Sequence, residues 1–419
     1  MDHALEIGTR SPVLMTRSSV TRTRDTCSGL LSSGMKVGIV VPYSWSFWGG
    51  VPEHAEHQAR ALAKLGADAR IVIGHDPPGR LTNALHPRRG RHERPPPHVI
   101  PVGRSVIVPA NGALPNIVLS PRAVARMRQV LERERFDVVH VHEPMTPAIG
   151  VAALAFAQTP LVGTFHASGD LAWMKIAAPM WGFLAERLDH RIAVSRDAAT
   201  SAARHLPGDY DVIPNGVAMP EQVELGGRAD RIVFIGRHEP RKGLHVLLRA
   251  WPEIHRATGA RLRVLGADPL QVRLLLARMR VSDDGIDALG YVREEERTEE
   301  LLTAKAFVAP SLGGESFGMI LTEAFACGVP VVASDISGYR DVMTAETGVL
   351  VPPDDPGALA NAIAALLADE PRRHALAAGA RRRANDYSWD DIGRRLLDVY
   401  ERLTGADRVR PGAALAAAG

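Results

Sequence analysis

The chain has 419 residues, 46% of them hydrophobic and 23% charged, with a formal net charge of +3. That balance fits a folded protein of two or three domains and excludes a wholly disordered, collagen-like, coiled-coil or disulfide-scaffold architecture. The charge is uneven: residues 1–220 carry 24 Lys+Arg against 18 Asp+Glu, and residues 221–419 carry 26 against 29, so the positive excess lies in the first half and points to an anionic partner there.

Residues 1–34 hold four arginines, many Ser and Thr, no sustained periodicity and no apolar signal core. They are expected to form a disordered leader, with the fold beginning at Met35. From there apolar strands alternate with helical patterns: strand 36–41, helix 52–65, strand 69–73, and a Pro- and Arg-rich loop to about residue 98. Next come helix 121–134, strand 137–141, helix 147–157, strand 161–165, helix 171–187, strand 190–194, helix 196–204 and strand 210–213. This βα alternation argues a parallel sheet with helices on both faces.

The same grammar restarts after residue 220. Strand 231–235, helix 243–256, strand 261–265 and helix 269–279 precede strand 286–290, helix 294–303, strand 305–309, helix 316–327, strand 329–333 and helix 356–368. Helices 371–384 and 388–403 follow. The expected organisation is two Rossmann-like, doubly wound α/β domains, 35–217 and 218–387, facing a central cleft. A terminal helix, 388–407, crosses back to the first domain, and an Ala-rich tail, 408–419, is flexible. Ligands of such sheets sit outside the strand carboxyl ends. No run of about 18 apolar residues escapes a charge or a breaker, so no transmembrane helix is expected. The two cysteines, Cys27 and Cys327, fit a reducing compartment; Cys327 reads as a small buried residue.

Three loops carry the chemistry. Gly49-Gly50 closes the loop after the first strand, where glycine lets backbone and a helix N-terminus approach an anion. It lacks the G-x-G-x-x-G spacing of dinucleotide sites. Gly236 through Gly243 places Arg237, Arg241 and Lys242 at a strand end and a helix start, which looks like a diphosphate clamp. A solvated basic loop is the plain alternative. Gly313-Gly314-Glu315-Ser316-Phe317-Gly318 is a second Gly-rich strand-to-helix turn, with backbone N–H groups expected over residues 316–319. Glu323, eight residues after Glu315, is expected about two turns down the same helix face. Two carboxylates beside an anion site suit sugar and ribose hydroxyls.

In the first half, His166 stands at a strand end. His140 and His142 share one face of strand 137–142. With Glu143 they hint at a metal, but no third ligand has obvious spacing, so no metal is expected. Asp209-Tyr210-Asp211 reads as a solvated pair of carboxylates. Helix 121–134 is basic and amphipathic, with Val124, Met127 and Leu131 inward and Arg122, Arg126, Arg128 and Arg133 outward. With Arg88, Arg89, Arg91 and Arg94 it makes a candidate anionic membrane-surface site. A solvated helix with a loop is the bland reading. Nucleic acid fits poorly, because aromatic residues are 5% and none interleave these arginines.

Together Gly49-Gly50-Val51, Phe165-His166, Ile192-Ala193-Val194-Ser195 and Ile213-Pro214-Asn215-Gly216-Val217 resemble retaining glycosyltransferase family 4, which has the GT-B fold. So do Gly236-Arg237 with Arg241-Lys242-Gly243, Gly314-Glu315-Ser316-Phe317-Gly318 with Glu323, and strand 328–333. The resemblance runs from about residue 35 to 404. Within the family, Val37 to Ser44, Val139 to Pro144 and Leu312 to Gly318 are similar to the actinobacterial phosphatidylinositol mannosyltransferases. That resemblance implies GDP-mannose as donor, an inositol phospholipid as acceptor and a peripheral place on the inner face of the plasma membrane. The nucleotide sugar is a substrate, and no cofactor is implied.

Carried over, Gly49 and Gly50 would approach the diphosphate, and Arg237 and Lys242, with Arg241 in support, would hold it. Val292 and Arg297 would lie near the nucleotide. Glu315, Ser316 and the amides of Phe317, Gly318 and Met319 would hold sugar and diphosphate, and Glu323 the ribose. Tyr43, Asn111 and His166 would line the acceptor side, with His166, Arg237, Lys242 and Glu315 in the catalytic set. The sequence departs from the pattern on that side: Asn116 and Val118 stand where family enzymes have arginines, Pro52 replaces a polar residue, and Ala167 and Leu171 replace Thr and Lys. Another nucleotide sugar with a different lipid, polyol or sugar acceptor is the near alternative. A nucleotide-sugar epimerase or hydrolase and a non-catalytic binding module are the distant ones.

Overall fold

The computed structural model describes residues 34–407 except 48, 87–93, 109–114, 169–173 and 222–226. The leader up to residue 33, Cys27, Arg88, Arg89, Arg91, Asn111, Leu171 and the tail from 408 therefore lie outside the described residues.

The first unit runs β1 (Lys36–Ser44), α1 (Gly50–Lys64), β2 (Asp68–Gly74), α2 (Arg80–Leu85), β3 (Val99–Pro101), β4 (Val106–Ile107), β5 (Asn116–Ile117), α3 (Pro121–Glu134) and β6 (Val138–His142). It continues with α4 (Ile149–Phe156), β7 (Leu161–Phe165), α5 (Met174–Ala185), β8 (His190–Ala193), α6 (Arg196–Ala203) and β9 (Asp211–Val212). Its main sheet is ordered β3-β2-β1-β6-β7-β8-β9 with every pair parallel. The long loop expected to be irregular instead contains α2, and β4 and β5 form an antiparallel pair hung on Tyr43 of β1. These pieces are too short for a period; β5 is held by pairing with β1, and β4 by pairing with β5.

The second unit runs β10 (Ala229–Ile235), α7 (Leu244–Thr258), β11 (Arg261–Leu265), α8 (Pro269–Met279), β12 (Ile286–Gly290), α9 (Glu294–Leu302), β13 (Ala304–Ala309), α10 (Met319–Ala326) and β14 (Val331–Ser334). Then follow α11 (Ser337–Arg340), β15 (Gly348–Val351), α12 (Pro356–Ala368), α13 (Glu370–Ala384) and α14 (Trp389–Asp407). Its sheet is ordered β12-β11-β10-β13-β14-β15, all parallel. Strand order reverses between β1 and β6 and again between β10 and β13, so each sheet has one crevice at its strand carboxyl ends.

Two of the expected positions move. The apolar stripe of α3 is Ala123, Met127 and Val130, one residue away from the expected Val124 and Leu131, which are half-buried. The helix expected from residue 316 begins at Met319, because Gly318 takes a left-handed φ of 77° and ends the loop there.

α14 returns to the first unit. Ile392, Leu396, Val399 and Tyr400 share a buried cluster with Val37, Ala55, Ala59 and Leu62. Each such aliphatic side chain contributes about 1.5–3 kcal/mol of burial. Trp389 lies against Gly216, where a Cβ would stand 2.4 Å from its ring, and Val217 N donates to Tyr387 O at 2.7 Å. No helix among the described residues is long and apolar enough to cross a membrane.

The loop between β10 and α7 is locked onto the end of β13 at Gly243, whose φ is 69° and whose Cβ position lies 1.7 Å from Pro310 O. Gly243→Ala is expected to cost about 3 kcal/mol or more, read as a lower urea midpoint; an unchanged midpoint would contradict this packing.

Candidate functional site

The crevice of the second sheet holds one compact charged group. Glu315 Oε1 accepts from Arg241 Nη1 at 2.7 Å and is paired with Lys242 Nζ at 2.8 Å. Glu239 bridges Arg241 and Arg237, each at 3.0 Å. Three cations face two carboxylates, a formal surplus of +1, at the end of β10 and beside the loop before α10. The two Gly-rich segments thus converge because the switch point brings β10 and β13 side by side. An incoming diphosphate can take over the Arg237, Arg241 and Lys242 partners, which is a strong form of charge-assisted bonding.

Two helix N-termini meet at this point. Gly50 opens α1, and the nearest atom to its Cβ position is Met319 Sδ, 3.5 Å away on the first residue of α10. Gly49 and Gly50 therefore sit opposite Gly318 and Met319 across the cleft, with both sets of free N–H groups available to an anion. Ser316 lies in the loop that precedes α10, and Phe317 is buried, edge-on to Tyr387 at 5.4 Å.

The expectation that Glu315 and Glu323 share a helix face is corrected. Glu315 precedes the helix and turns to Arg241 and Lys242, whereas Glu323 is inside α10 and faces Arg297 Nε at 2.9 Å. That approach lacks hydrogen-bond geometry, so Glu323 Oε2 is buried without a hydrogen bond among the described residues. Burial pushes the Glu323 carboxyl upward against the pull of Arg297, while Glu323 above all holds Arg297 firmly charged. Arg297 also reaches Glu53 of α1 at 3.4 Å, and His57 of α1 meets Glu294 of α9 at 2.9 Å. Sequence reading missed Glu53, His57 and Glu294, since only docking of α1 on α9 gives them meaning. Val292, on the loop before α9, packs against the core of the second unit. Cys327 is buried, which pushes its thiol up to about 12 and makes it inert.

The crevice of the first sheet holds imidazoles. His140 and His142 stack at 4.7 Å, and His142 Nδ1 lies 2.8 Å from His166 Nε2. His54 of α1 packs edge-on against both His142 and His166. The third imidazole that sequence spacing lacked is thus supplied by folding: His54, His142 and His166 bring ligand nitrogens within 4.8 Å of one another, which could hold a metal ion. Both nitrogens of His142 already have partners, however, in His166 and Gln58. Glu143 does not join the imidazoles. It adopts a left-handed φ of 48°, and its carboxylate accepts from the His166 backbone N–H at 2.9 Å.

Burial pushes His140 and His166 down to about 3, His54 and His142 well below their ordinary value, and Glu143 up to about 7. Burial also raises the Tyr43 hydroxyl, with Glu143 adding to the effect. Ala167 follows His166 and is half-buried. Of the positions that depart from the family pattern, Val118 and Pro52 are buried, and Asn116 Oδ1 pairs with His86 Nδ1 at 2.8 Å. Asp76 is buried beside them, accepting from Ser44 and Ser105 hydroxyls at 2.7 and 2.6 Å. On α3, Arg122, Arg126, Arg128 and Arg133 are exposed, but Arg128 is paired with Glu132 and Arg133 with Glu134.

These shifts give a pH profile with a defined sign. Unfolding lets the four imidazoles bind protons below about pH 6.5, which the folded state resists, so stability falls as pH drops from there. Glu143 acts oppositely: its folded carboxyl keeps a proton that the unfolded chain gives up near pH 4.5, so its contribution is lost as pH rises through about 7. Glu143→Gln is expected to raise the melting temperature at pH 8 and leave it nearly unchanged at pH 4.5; equal shifts at both would contradict a buried neutral carboxyl. In the second crevice, Arg237→Ala and Lys242→Ala should each lower turnover by about 100-fold or more, with near-normal turnover refuting the clamp.

Residues 229–369 match the family model for glycosyl transferases group 1, and residues 48–219 match that for Glycosyltransferase Family 4. The phosphatidyl-myo-inositol mannosyltransferase of Mycobacterium leprae is 33% identical over 383 residues, covering 88% of this chain and 97% of that protein. The one from Propionibacterium freudenreichii is 34% identical, covering 87% and 94%. A D-inositol 3-phosphate glycosyltransferase of Xylanimonas cellulosilytica is 32% identical, covering 85% and 92%. Among solved structures, sucrose-phosphate synthase from Thermosynechococcus elongatus superposes with a TM-score of 0.67 at 21% identity, covering 89% of this chain and all of that one. Anabaena HepE in complex with UDP gives 0.65 at 19%, covering 88% of this chain and 100% of that one. Two crevices at parallel strand ends, a cation cluster beside the loop before α10 and these similarities lead to one conclusion: the chain belongs to glycosyltransferase family 4 and is a glycosyltransferase of the GT-B fold.

Proposed function

We propose that the enzyme moves mannose from GDP-mannose, with retention of anomeric configuration, onto an acceptor of the inositol-phospholipid class at the inner face of the plasma membrane. The donor half of this reading is supported by the group Arg237, Glu239, Arg241, Lys242 and Glu315, beside the loop that leads into α10, and by the approach of Gly50 to Met319. The acceptor half is supported by relatives named phosphatidyl-myo-inositol mannosyltransferase that match along nearly their whole length.

In this reading the bond from the anomeric carbon to the diphosphate oxygen breaks, and the acceptor oxygen forms its bond on the same face. The acceptor's proton passes to the departing diphosphate. Arg237 and Lys242 stabilise the charge that grows on that leaving group, with Arg241 and the amides of Phe317, Gly318 and Met319 in support. The diphosphate's charge is met by these groups, and the reading assigns no metal cofactor. Glu315 positions the sugar. Glu323, whose Oε2 is buried without a hydrogen bond, takes a ribose hydroxyl, and Arg297 and Val292 flank the nucleotide. Tyr43 and His166 line the acceptor side; Asn111, outside the described residues, is assigned to it by the family resemblance alone. The low proton affinity of His166 suits a hydrogen-bond acceptor that orients the hydroxyl better than a general base. Arg122 and Arg126 give α3 its membrane-facing charge.

A second reading has its own observation. Val118 and Asn116 stand where family enzymes have arginines; one is buried and the other is paired with His86. Neither of these two side chains is a cation that could meet a phosphate, which favours a neutral polyol or sugar acceptor.

Radiolabelled GDP-mannose, UDP-glucose and ADP-glucose, each offered with phosphatidylinositol vesicles, soluble inositol phosphate or free inositol, separate these readings. Label should move from GDP-mannose to the lipid, with the α configuration in the product. Transfer from a UDP-sugar alone would overturn the donor, and label on free inositol alone would favour the second reading.

A further inference from the structure

α1 carries Glu53 and His57 one turn apart, and α9 carries Glu294 and Arg297 on adjoining turns, so each helix offers an acid and a base on one face. Across the cleft the two faces meet acid to base: His57 Nε2 lies 2.9 Å from Glu294 Oε1, and Arg297 Nη2 donates to Glu53 Oε2 at 3.4 Å. Trp389 stacks on His57 behind this contact. Glu53, His57, Glu294, Arg297, Glu323 and Trp389 all line one cavity between the units. The Glu53, Arg297 and Glu323 side chains are only 14%, 15% and 20% exposed, so water competes weakly for the guanidinium.

One guanidinium thus faces two carboxylates in unlike ways. Toward Glu323 it has nearness without alignment: Nε stands 2.9 Å from Oε2, and no hydrogen bond forms there. Toward Glu53 it has an aligned N–H over a longer distance. Hydrogen bonds weaken steeply below about 120°, whereas attraction between charges depends on distance alone. Arg297 therefore favours the ionised form of Glu323 while Oε2 keeps its lone pairs unengaged. A carboxylate in that state accepts an O–H bond. Without Glu53, the guanidinium keeps Glu323 as its carboxylate contact among the described residues. The planar fork of arginine favours a two-bond pair with a single carboxylate, and that pair would use the lone pairs that a ribose hydroxyl needs.

We infer that Glu53 is a positioning residue for the donor: from the first unit it draws Arg297 across the cleft and keeps the Glu323 carboxylate open to the ribose diol. This role rests on the reading, given above, that Glu323 takes a ribose hydroxyl. The nucleotide subsite of the second unit then depends on a side chain of the first, so ribose recognition and closing of the cleft are linked. Charge alone argues the opposite sign. The negative charge of Glu53 disfavours ionisation of Glu323, so its loss would leave ribose binding unchanged or tighter. By position, its loss weakens ribose binding.

Isothermal titration calorimetry on the full-length protein separates the two signs. The ligands are whichever of GDP, UDP and ADP binds tightest and its dideoxy form, which lacks both ribose hydroxyls. The unmodified protein should prefer the ribose form by about tenfold. Glu53→Ala should weaken the ribose form by about tenfold and leave the dideoxy form within about twofold, so that the preference vanishes. Glu53→Gln keeps an oxygen that accepts from Arg297 and should retain most of the preference. A preference that survives or grows in Glu53→Ala overturns the inference. Equal weakening of both ligands in Glu53→Ala, with a lowered melting temperature, marks a structural role and also overturns it. Glu323→Ala tests the reading beneath: it should abolish the preference by itself. A preference that persists in Glu323→Ala, or is absent from the unmodified protein, overturns the ribose reading and the role of Glu53 with it. A preference lost in Glu323→Ala and kept in Glu53→Ala overturns the role of Glu53 alone.

Discussion

The apolar contact between α14 and α1 sets the relation of the two sheets. Ile392, Leu396 and Val399 lie in one buried cluster with Ala55, Ala59 and Leu62, so the last helix of the chain is part of the core of the first unit. Trp389, at the start of α14, closes on the connector at Gly216 and stacks on His57 at 5.9 Å. With the helix anchored at one end and continuous with α13 and residues 385–388 at the other, the carboxyl ends of both sheets come to face each other. The approach of Gly50 to Met319 and the ion pairs from α1 to α9 follow from that placement.

Each crevice then acquires a different electrostatic character. The second holds a network of ion pairs whose carboxylates, Glu239 and Glu315, are mostly buried while the Arg237 and Arg241 side chains reach solvent in part. That property suits a site where a charged group arrives and leaves. The first is buried, and burial above all lowers the proton affinity of its imidazoles. Glu143, in a left-handed backbone conformation and with its carboxyl pushed up to about 7 by burial, accepts from the His166 backbone N–H.

The elements most legible in the sequence are those with local signals at both ends. Helices 121–134, 269–279 and 356–368 were readable because Ser120, Asp268 and Asp355 cap their N-termini and a proline follows each cap. Strands 161–165, 261–265 and 286–290 were readable as apolar runs between helices. The start of α10 was misplaced because a loop glycine and a helix residue look alike until Gly318 is seen in its left-handed conformation. β3, β4, β5, α11 and β15 left no period, being held by neighbours rather than by their own sequence.

Local sequence by itself determined the two βα series, the glycine turns and the basic loop from Arg237 to Lys242, because propensity, capping and strand-to-helix turns act over a few residues. Tertiary structure alone decided which of those groups meet. Glu315 and Glu323 parted company, one to Lys242 and one to Arg297, since a loop end and a helix interior point in different directions. Gln58, His140, His142, His166 and Tyr400 became one hydrogen-bonded chain although 342 residues separate Gln58 from Tyr400. A buried polar group is satisfied by whichever partner the packing brings within 3 Å, and nothing in its own neighbourhood of the sequence records which partner that is.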